Sequence, residues 1–403
     1  MSFTSRRRDL TIVVSAKAVS LLGDELATVA LLLRLQPRGA AAVAAVLIAG
    51  LAPIVLLAPL VGRLVDRHDN RRLLVVSGLA QAGVCTVLAF AGSPAAVLPL
   101  VALLGAGQAV NGATWQALIP ALAGRGGIAR ATSLAQAGTT IAGIAAPALG
   151  GLLVGLYGSR LPLLVDAATF LAITAAGLTL RIRRGTGVAV DGVRPRGGLS
   201  IVRRDPLLRS ALVALGLFVG LGSLVNVVEV FLVRETLHAS TVWYGLSGAA
   251  WMVGVLGGAL LAGRAGGVPA QARSFVAAAA ALSVSLAAVG LVPDVGWLLA
   301  ICVVGGVTNG VLSVSVTTLV MSVTASAEHG RIGAILGAVV SGTQLFAYAA
   351  SGLLAGWFSP RAIFVASGVF GLLAPVLLGR SVIRRANAHS PVAAPAEPAR
   401  ATA

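Results

Sequence analysis

Read from its N-terminus, the chain alternates long apolar runs with short charged or Gly/Pro-rich breaks. The runs fall near 10–34, 39–61, 73–92, 95–119, 131–157 and 161–180, and again near 208–233, 241–262, 274–292, 295–320, 331–357 and 361–379. Each run is continuous rather than alternating, which predicts helices and excludes β-barrel strands. A hydrocarbon core of roughly 30 Å needs about 20 apolar residues per helical span. The pattern therefore predicts an all-α polytopic membrane protein with twelve transmembrane helices.

The two sets of six resemble each other at a shift of about 200 residues. Arg34 matches Arg234, Gly62-Arg63 matches Gly263-Arg264, Phe170 matches Phe370, and Arg183-Arg184 matches Arg384-Arg385. Asn111-Gly112 matches Asn309-Gly310 at a slightly shorter shift. Matches in order, at element ends and at one shift predict two pseudo-symmetric six-helix bundles. The expected divisions are an N-terminal half at 1–181, a basic cytoplasmic linker at 182–207, a C-terminal half at 208–380 and a disordered cytoplasmic tail at 381–403. Part of the linker, 199–204, reads as a short amphipathic piece on the membrane surface. Parallel six-span halves are a transporter plan, with the substrate site near mid-membrane between them.

Composition agrees with this reading: 57% of the 403 residues are hydrophobic, 11% are charged, and the mean hydropathy is +0.95. The net charge of +17 would suggest nucleic acid in a soluble protein, but the basic residues sit in short segments between spans, so no nucleic-acid partner is expected. With both termini in the cytoplasm, 24 Arg lie on the inner side and five (Arg34, Arg38, Arg160, Arg234, Arg361) on the outer side. That bias fixes the orientation of a multi-pass protein of the cell membrane. Cys85 and Cys302 are isolated in apolar runs, and the four His fall outside the spans, so no disulfide, metal site or hydrolase triad is expected. No Gly-rich phosphate loop is present and no cofactor is expected.

Between spans two and three stands Gly62-Arg63-Leu64-Val65-Asp66-Arg67-His68-Asp69-Asn70-Arg71-Arg72. Read as a Gly-led turn carrying an acid and a basic cluster, it resembles the signature loop of the major facilitator superfamily, with Asn70 departing from the usual basic residue. The Gly23-Asp24 pair and Asp69 resemble the branch of macrolide-efflux and enterobactin-exporter proteins. The resemblance implies a conformational latch made by Gly62, Asp66, Arg67 and Arg71, in which Asp66 docks on the N-terminus of span eleven near 330–333 in the outward-facing state. A helix N-terminus does attract a carboxylate, by up to about 2 kcal/mol when partly buried. Span five carries Gly138, Gly143, Pro147, Gly150 and Gly151, which resembles the antiporter motif of drug exporters, with Ala146 where Gly is usual. Small residues there also suit ordinary close packing of helices.

Charge inside a span costs a few kcal/mol and normally faces a cavity or a partner. Span one holds Lys17, Asp24 and Glu25, and span seven holds Glu229. Asp24, Glu25 and Glu229 are the candidates for proton coupling, although Asp24 reads equally well as a helix-packing residue. Asp166, at the outer end of span six, reads as structural. Lys17, Asn111, Trp115, Trp251, Asn309, Gln344 and Tyr348 are candidates for a substrate cavity, with Asn111 and Asn309 alternatively a symmetric structural pair. Span four lacks the Arg that the family's antiporters often carry, which shifts weight to span one. The expected function is secondary-active efflux of a small organic compound by proton antiport, carried out by a monomer and not an enzyme. The alternatives are a nutrient importer or facilitator, and a transport-dead sensor of the same fold.

Overall fold

The computed structural model describes residues 3–180, 202–203, 205–264, 266–322, 324 and 328–388. The helices are α1 (Phe3–Leu35), α2 (Ala40–Leu56), α3 (Ala58–Arg67), α4 (Asn70–Phe90), α5 (Pro94–Tyr157), α6 (Arg160–Thr179), α7 (Pro206–Phe231), α8 (Thr241–Ala262), α9 (Gly267–Gly290), α10 (Val295–Ser322), α11 (His329–Leu354) and α12 (Pro360–Ala388). Among the described residues ten stretches are long and apolar enough to cross a membrane, and the bent pair α2 with α3 makes an eleventh. α1 is 33 residues long and completes twelve, its apolar run interrupted by Lys17, Asp24 and Glu25. Large side chains such as Phe90, Leu156, Phe346 and Leu377 remain exposed, a surface that suits lipid and not water.

Local chemistry sets the helix ends. Asp69 accepts from the Arg71 N–H and caps α4, Ser93 caps α5, and Asp205 accepts from the Leu207 and Leu208 N–H groups ahead of Pro206 at the start of α7. Within spans, hydroxyls bond the carbonyl one turn back, as Thr28 does to Asp24, Thr86 to Ala82 and Thr114 to Val110.

Four expectations change. Span two is not one straight helix but bends by 54° between α2 and α3, where Pro53 and Pro59 each remove a backbone donor. The Gly-led signature segment is not a turn, because α3 is helical through Arg67 and Gly62 has no positive φ. Spans four and five are joined through helical backbone within Pro94–Tyr157 and not by an open loop. The arms of α5 nevertheless run in opposite directions. Asn111 meets Gln81 and Ser77 of α4, whereas Gly138 faces Ala18 and Gly150 faces Val29 along α1. α1 and α4 are parallel, since Arg34 reaches Leu88 and α6 runs against both, so the chain reverses between Leu118 and Ser133. At the other end, α12 continues to Ala388, past the expected end of span twelve. The linker lies outside the described residues up to position 201, as does the surface piece apart from Val202 and Arg203; the tail lies outside them from position 389.

Helix pairings repeat with the six-span shift. α1 packs on α5 and α6, as α7 packs on α11 and α12; α4 packs on α6, as α9 packs on α12. The first arm of α5 meets α2 with Gly105 against the Gly50 carbonyl, and α10 meets α8 through Gly254, Gly258, Gly306 and Gly310. At these positions a Cβ would collide with the facing backbone, so glycine sets the helix separation. The two most extensive contacts between the halves are the second arm of α5 on α8, and α2 on α11. Under the repeat these are the same contact made twice.

Arg34, Arg38, Arg160, Arg234 and Arg361 have a structural use. Arg34 donates to the carbonyls of Leu88 and Ala91, Arg38 to Gly92, and Arg361 to Val292, all at the C-terminal ends of α4 and α9. Arg234 donates to Ala239, and Arg160 stacks on Phe90 at 5.7 Å. Cations there satisfy orphan carbonyls and complement the helix dipole. Replacing Arg34 or Arg361 with Ala is expected to lower stability by about 1.5–3 kcal/mol each, the range for hydrogen bonds to charged groups. The check is thermal unfolding in detergent, where R34A and R361A should add and R72A, on an exposed position, should change little.

Candidate functional site

Taking the side where α1 begins as near and the side where it ends as far, the close inter-half contacts cluster in the far half. Gly151 of α5 abuts the Thr241 carbonyl and Gly245 of α8, and Gly245 abuts the Pro147 carbonyl. Thr241 donates to the Gly151 carbonyl at 3.0 Å. On the symmetry-related seam Gly352 of α11 packs on Ala41 and Ala44 of α2. Gln36 donates to Glu235 at 2.6 Å across the far loops. Toward the near side Gly62, Gly333 and Gly337 have open space around them, and Asp66 and Arg67 are exposed. Asp66 makes no hydrogen bond or ion pair among the described residues, so the two halves are joined at the far end and parted at the near end.

Between the halves lies a cavity of about 630 Å³. Its wall is mostly the C-terminal bundle, from α7, α8, α9, α10, α11 and α12, with Glu25 of α1 and Gly143 and Pro147 of α5 closing it from the other half. Seven expected residues meet there: Glu25, Glu229, Trp251, Asn309, Gln344, Gly143 and Pro147. Glu229 accepts from Ser247 at 2.9 Å, and no Lys or Arg is among the lining residues. The span-five motif thus has two faces. Gly143 and Pro147 line the cavity while Gly151 seats α8 and Gly150 packs on Val29 of α1; Gly138 faces Ala18.

Four cavity candidates sit elsewhere. Trp115 is 4% exposed and packs with Val13, Leu74 and Leu118 in the core of the N-terminal bundle, where its area is used in packing. Asn111 is buried, donating to Gln81 and accepting from Ser77, both at 2.6 Å, so its amide is occupied by α4. It and its repeat partner Asn309 therefore have different surroundings. Lys17 is half-buried on α1 outside the cavity wall, two turns nearer the N-terminus than Asp24. Tyr348 is buried behind the wall, within reach of Asn226 and Glu25.

Asp24 and Glu25 are consecutive, so they diverge by about 100° around the helix. Glu25 faces the cavity; Asp24 faces into its own bundle toward Ser20, Gln108 and Asp166. Asp166 was legible only as a structural acid, yet it is 1% exposed and sits against Gly23, Thr169 and Cys85. Residues missed by sequence reading include Asn226, Ser247 and Tyr244, which surround the glutamates. Tyr244 and Ser247 are three apart on α8, a spacing that places them on one face.

Twelve helices in two bundles with a cavity between them have the architecture of a membrane transporter. The sequence matches the family model for the Major Facilitator Superfamily over residues 13–282 and 232–402, and the chain belongs to that family. Among solved structures it is similar to the nucleoside transporter NupG (TM-score 0.72, 14% identity, covering 94% of this chain and 99% of that one). It is also similar to a bacterial homologue of the human lysosomal transporter Spinster in an inward-facing, unoccupied conformation (0.72, 13%, 96% and 98%). A third is the peptide transporter POT in complex with sulfate (0.71, 14%, 94% and 95%). A search of curated proteins by sequence found no match.

The two thiols test the placement of the cavity. Cys302 lines it, whereas Cys85 is 0% exposed inside the N-terminal bundle. A small maleimide is expected to modify Cys302 first, with peptide mass mapping showing Cys85 unmodified in the folded protein. Equal modification of both would contradict the assignment.

Proposed function

We propose that this transporter is a secondary-active exporter of a small organic compound, working by proton antiport with alternating access in the cell membrane. The observation that carries the reading is the pair of glutamates, Glu25 from one half and Glu229 from the other, facing a single cavity with no basic residue in its wall. A carboxylate that can exchange a cation for a proton is what antiport requires. The cavity is otherwise apolar, with Trp251, Phe218 and Phe364 beside Asn226, Asn309 and Gln344. It suits a fairly apolar cargo, cationic or neutral; Lys17, outside the wall, leaves an anion as the alternative.

The halves at 1–181 and 208–380 rock about the two far-side seams, joined by the basic linker at 182–207. With both termini cytoplasmic, the near-side opening is inward-facing. Asp66 then latches to the start of α11 only when the near side closes, with Arg67 and Arg71 as its companions. Resemblance in the Gly23-Asp24 pair and the signature segment supports placing the chain with the macrolide-efflux and enterobactin-exporter branch. The resemblance of the span-five motif, Gly138, Gly143, Pro147, Gly150 and Gly151, to that of drug exporters supports export over import.

Everted vesicles energised with an inward proton gradient should release protons when lipophilic cations such as ethidium or tetraphenylphosphonium, or a macrolide, are added. E25Q or E229Q is expected to reduce that release by about tenfold or more, equivalent to about 1.4 kcal/mol of lost coupling. Accumulation of cargo in right-side-out vesicles would favour an importer. Silence across a broad compound panel would favour the transport-dead sensor.

A further inference from the structure

The charges of the N-terminal bundle are not exhausted by the cavity. Asp166 of α6 receives the Cys85 thiol on Oδ2 at 3.1 Å and the Thr169 hydroxyl on Oδ1 at 3.2 Å. Directly beside it, Gly23 of α1 has no room for a side chain, because a Cβ would collide with Asp166 Oδ1 and Thr169. Asp24 follows on the same turn, faced by Ser20 and Gln108 and close enough to Asp166 for the two carboxyls to interact.

Each element packed around the pair can be checked for charge. α4 contributes only the neutral thiol of Cys85, α5 the amide of Gln108, and α6 Asp166 itself. On α1, Glu25 is the next residue along, and Lys17 lies two turns toward the near side, about 10 Å along the axis. No cation touches either carboxyl among the described residues. Two carboxylates in one low-dielectric site repel strongly, and at membrane depth an unpaired charge costs several kcal/mol. Burial is also unequal: Asp166 is 1% exposed while Asp24 is half-buried.

We infer that Asp24 and Asp166 act as one proton-holding pair inside the N-terminal bundle, beside the cargo cavity and separate from its glutamates. Asp24 is the more exposed member of the pair and so the one through which its proton leaves. On release, an O–H bond of the pair breaks, the proton passes to water and the electron pair stays on the carboxylate. Both groups are then charged, and their repulsion acts directly across the α1–α6 contact that Gly23 makes close. This gives Asp166 a role in coupling that its position alone did not suggest. The consequence for the transport cycle rests on the antiport reading above, whereas the pair is a property of the protein itself.

The test uses purified full-length protein in lipid and records infrared difference spectra between neutral and alkaline pH. The wild type is expected to lose a protonated-carboxyl band on alkalinisation. D24N and D166N should each abolish the same band and one titrating proton per molecule, C85S should shift the band without removing it, and E25Q should leave it in place. A D24N protein that retains an Asp166 band, or a band removed by E25Q instead, would overturn the pair. Should D166N fail to fold, C85S decides: an Asp24-dependent band indifferent to Cys85 contradicts the pairing. An intact pair band in a protein that moves no protons in vesicles would sink antiport and leave the pair standing. Antiport without the band would do the reverse.

Discussion

In hydrocarbon no water completes a hydrogen bond, and that constraint shapes where this chain puts its polar groups. The spans are helices because only helices satisfy their own backbone. Where helices end, cations finish the task, with Arg34, Arg38 and Arg361 bonding the last carbonyls of α4 and α9. Polar side chains that remain inside find one another, as Ser77, Gln81 and Asn111 do. Among the groups that point to function are four acids: Glu25 and Glu229 at the cavity, Asp24 and Asp166 within one bundle.

Packing supplies the second half of the account. Lipid tails are as apolar as leucine, so helix association depends on close fit. Glycines at Gly50 with Gly105, and at Gly254, Gly258, Gly306 and Gly310, bring backbones together within each half. Between halves, close glycine contact occurs at Gly151 with Gly245 and at Gly352 with Ala41, all in the far half. The halves touch at two symmetry-related seams, with open space at the near end.

Span count, helix type and the twofold relation were legible in the sequence because apolar periodicity and the shift of about 200 residues are local patterns. The Thr241–Ala262 span is read to the residue. Pro53 and Pro59 mark the bend in the sequence, but an otherwise apolar run reads as one span. Site residues were harder. A glutamate in a span announces itself by cost, so Glu25 and Glu229 could be found; Trp115 and Asn111 could not be told from cavity residues, since the side of a helix facing a neighbour depends on where that neighbour lies. Asp166 could be seen as an acid, but its proximity to Asp24 spans about 140 residues of chain and required the fold.

The central claim is that two rigid halves exchange a near-side opening for a far-side one. Distances between spin labels measure it directly, in a background lacking Cys85 and Cys302, with one pair at Arg72 and Arg331 on the near side and another at Pro37 and Ser240 on the far side. As pH is varied, the account requires the near distance to shorten while the far distance lengthens, the two populations changing together. Distances that stay fixed, or that lengthen and shorten in step on both sides, would contradict it.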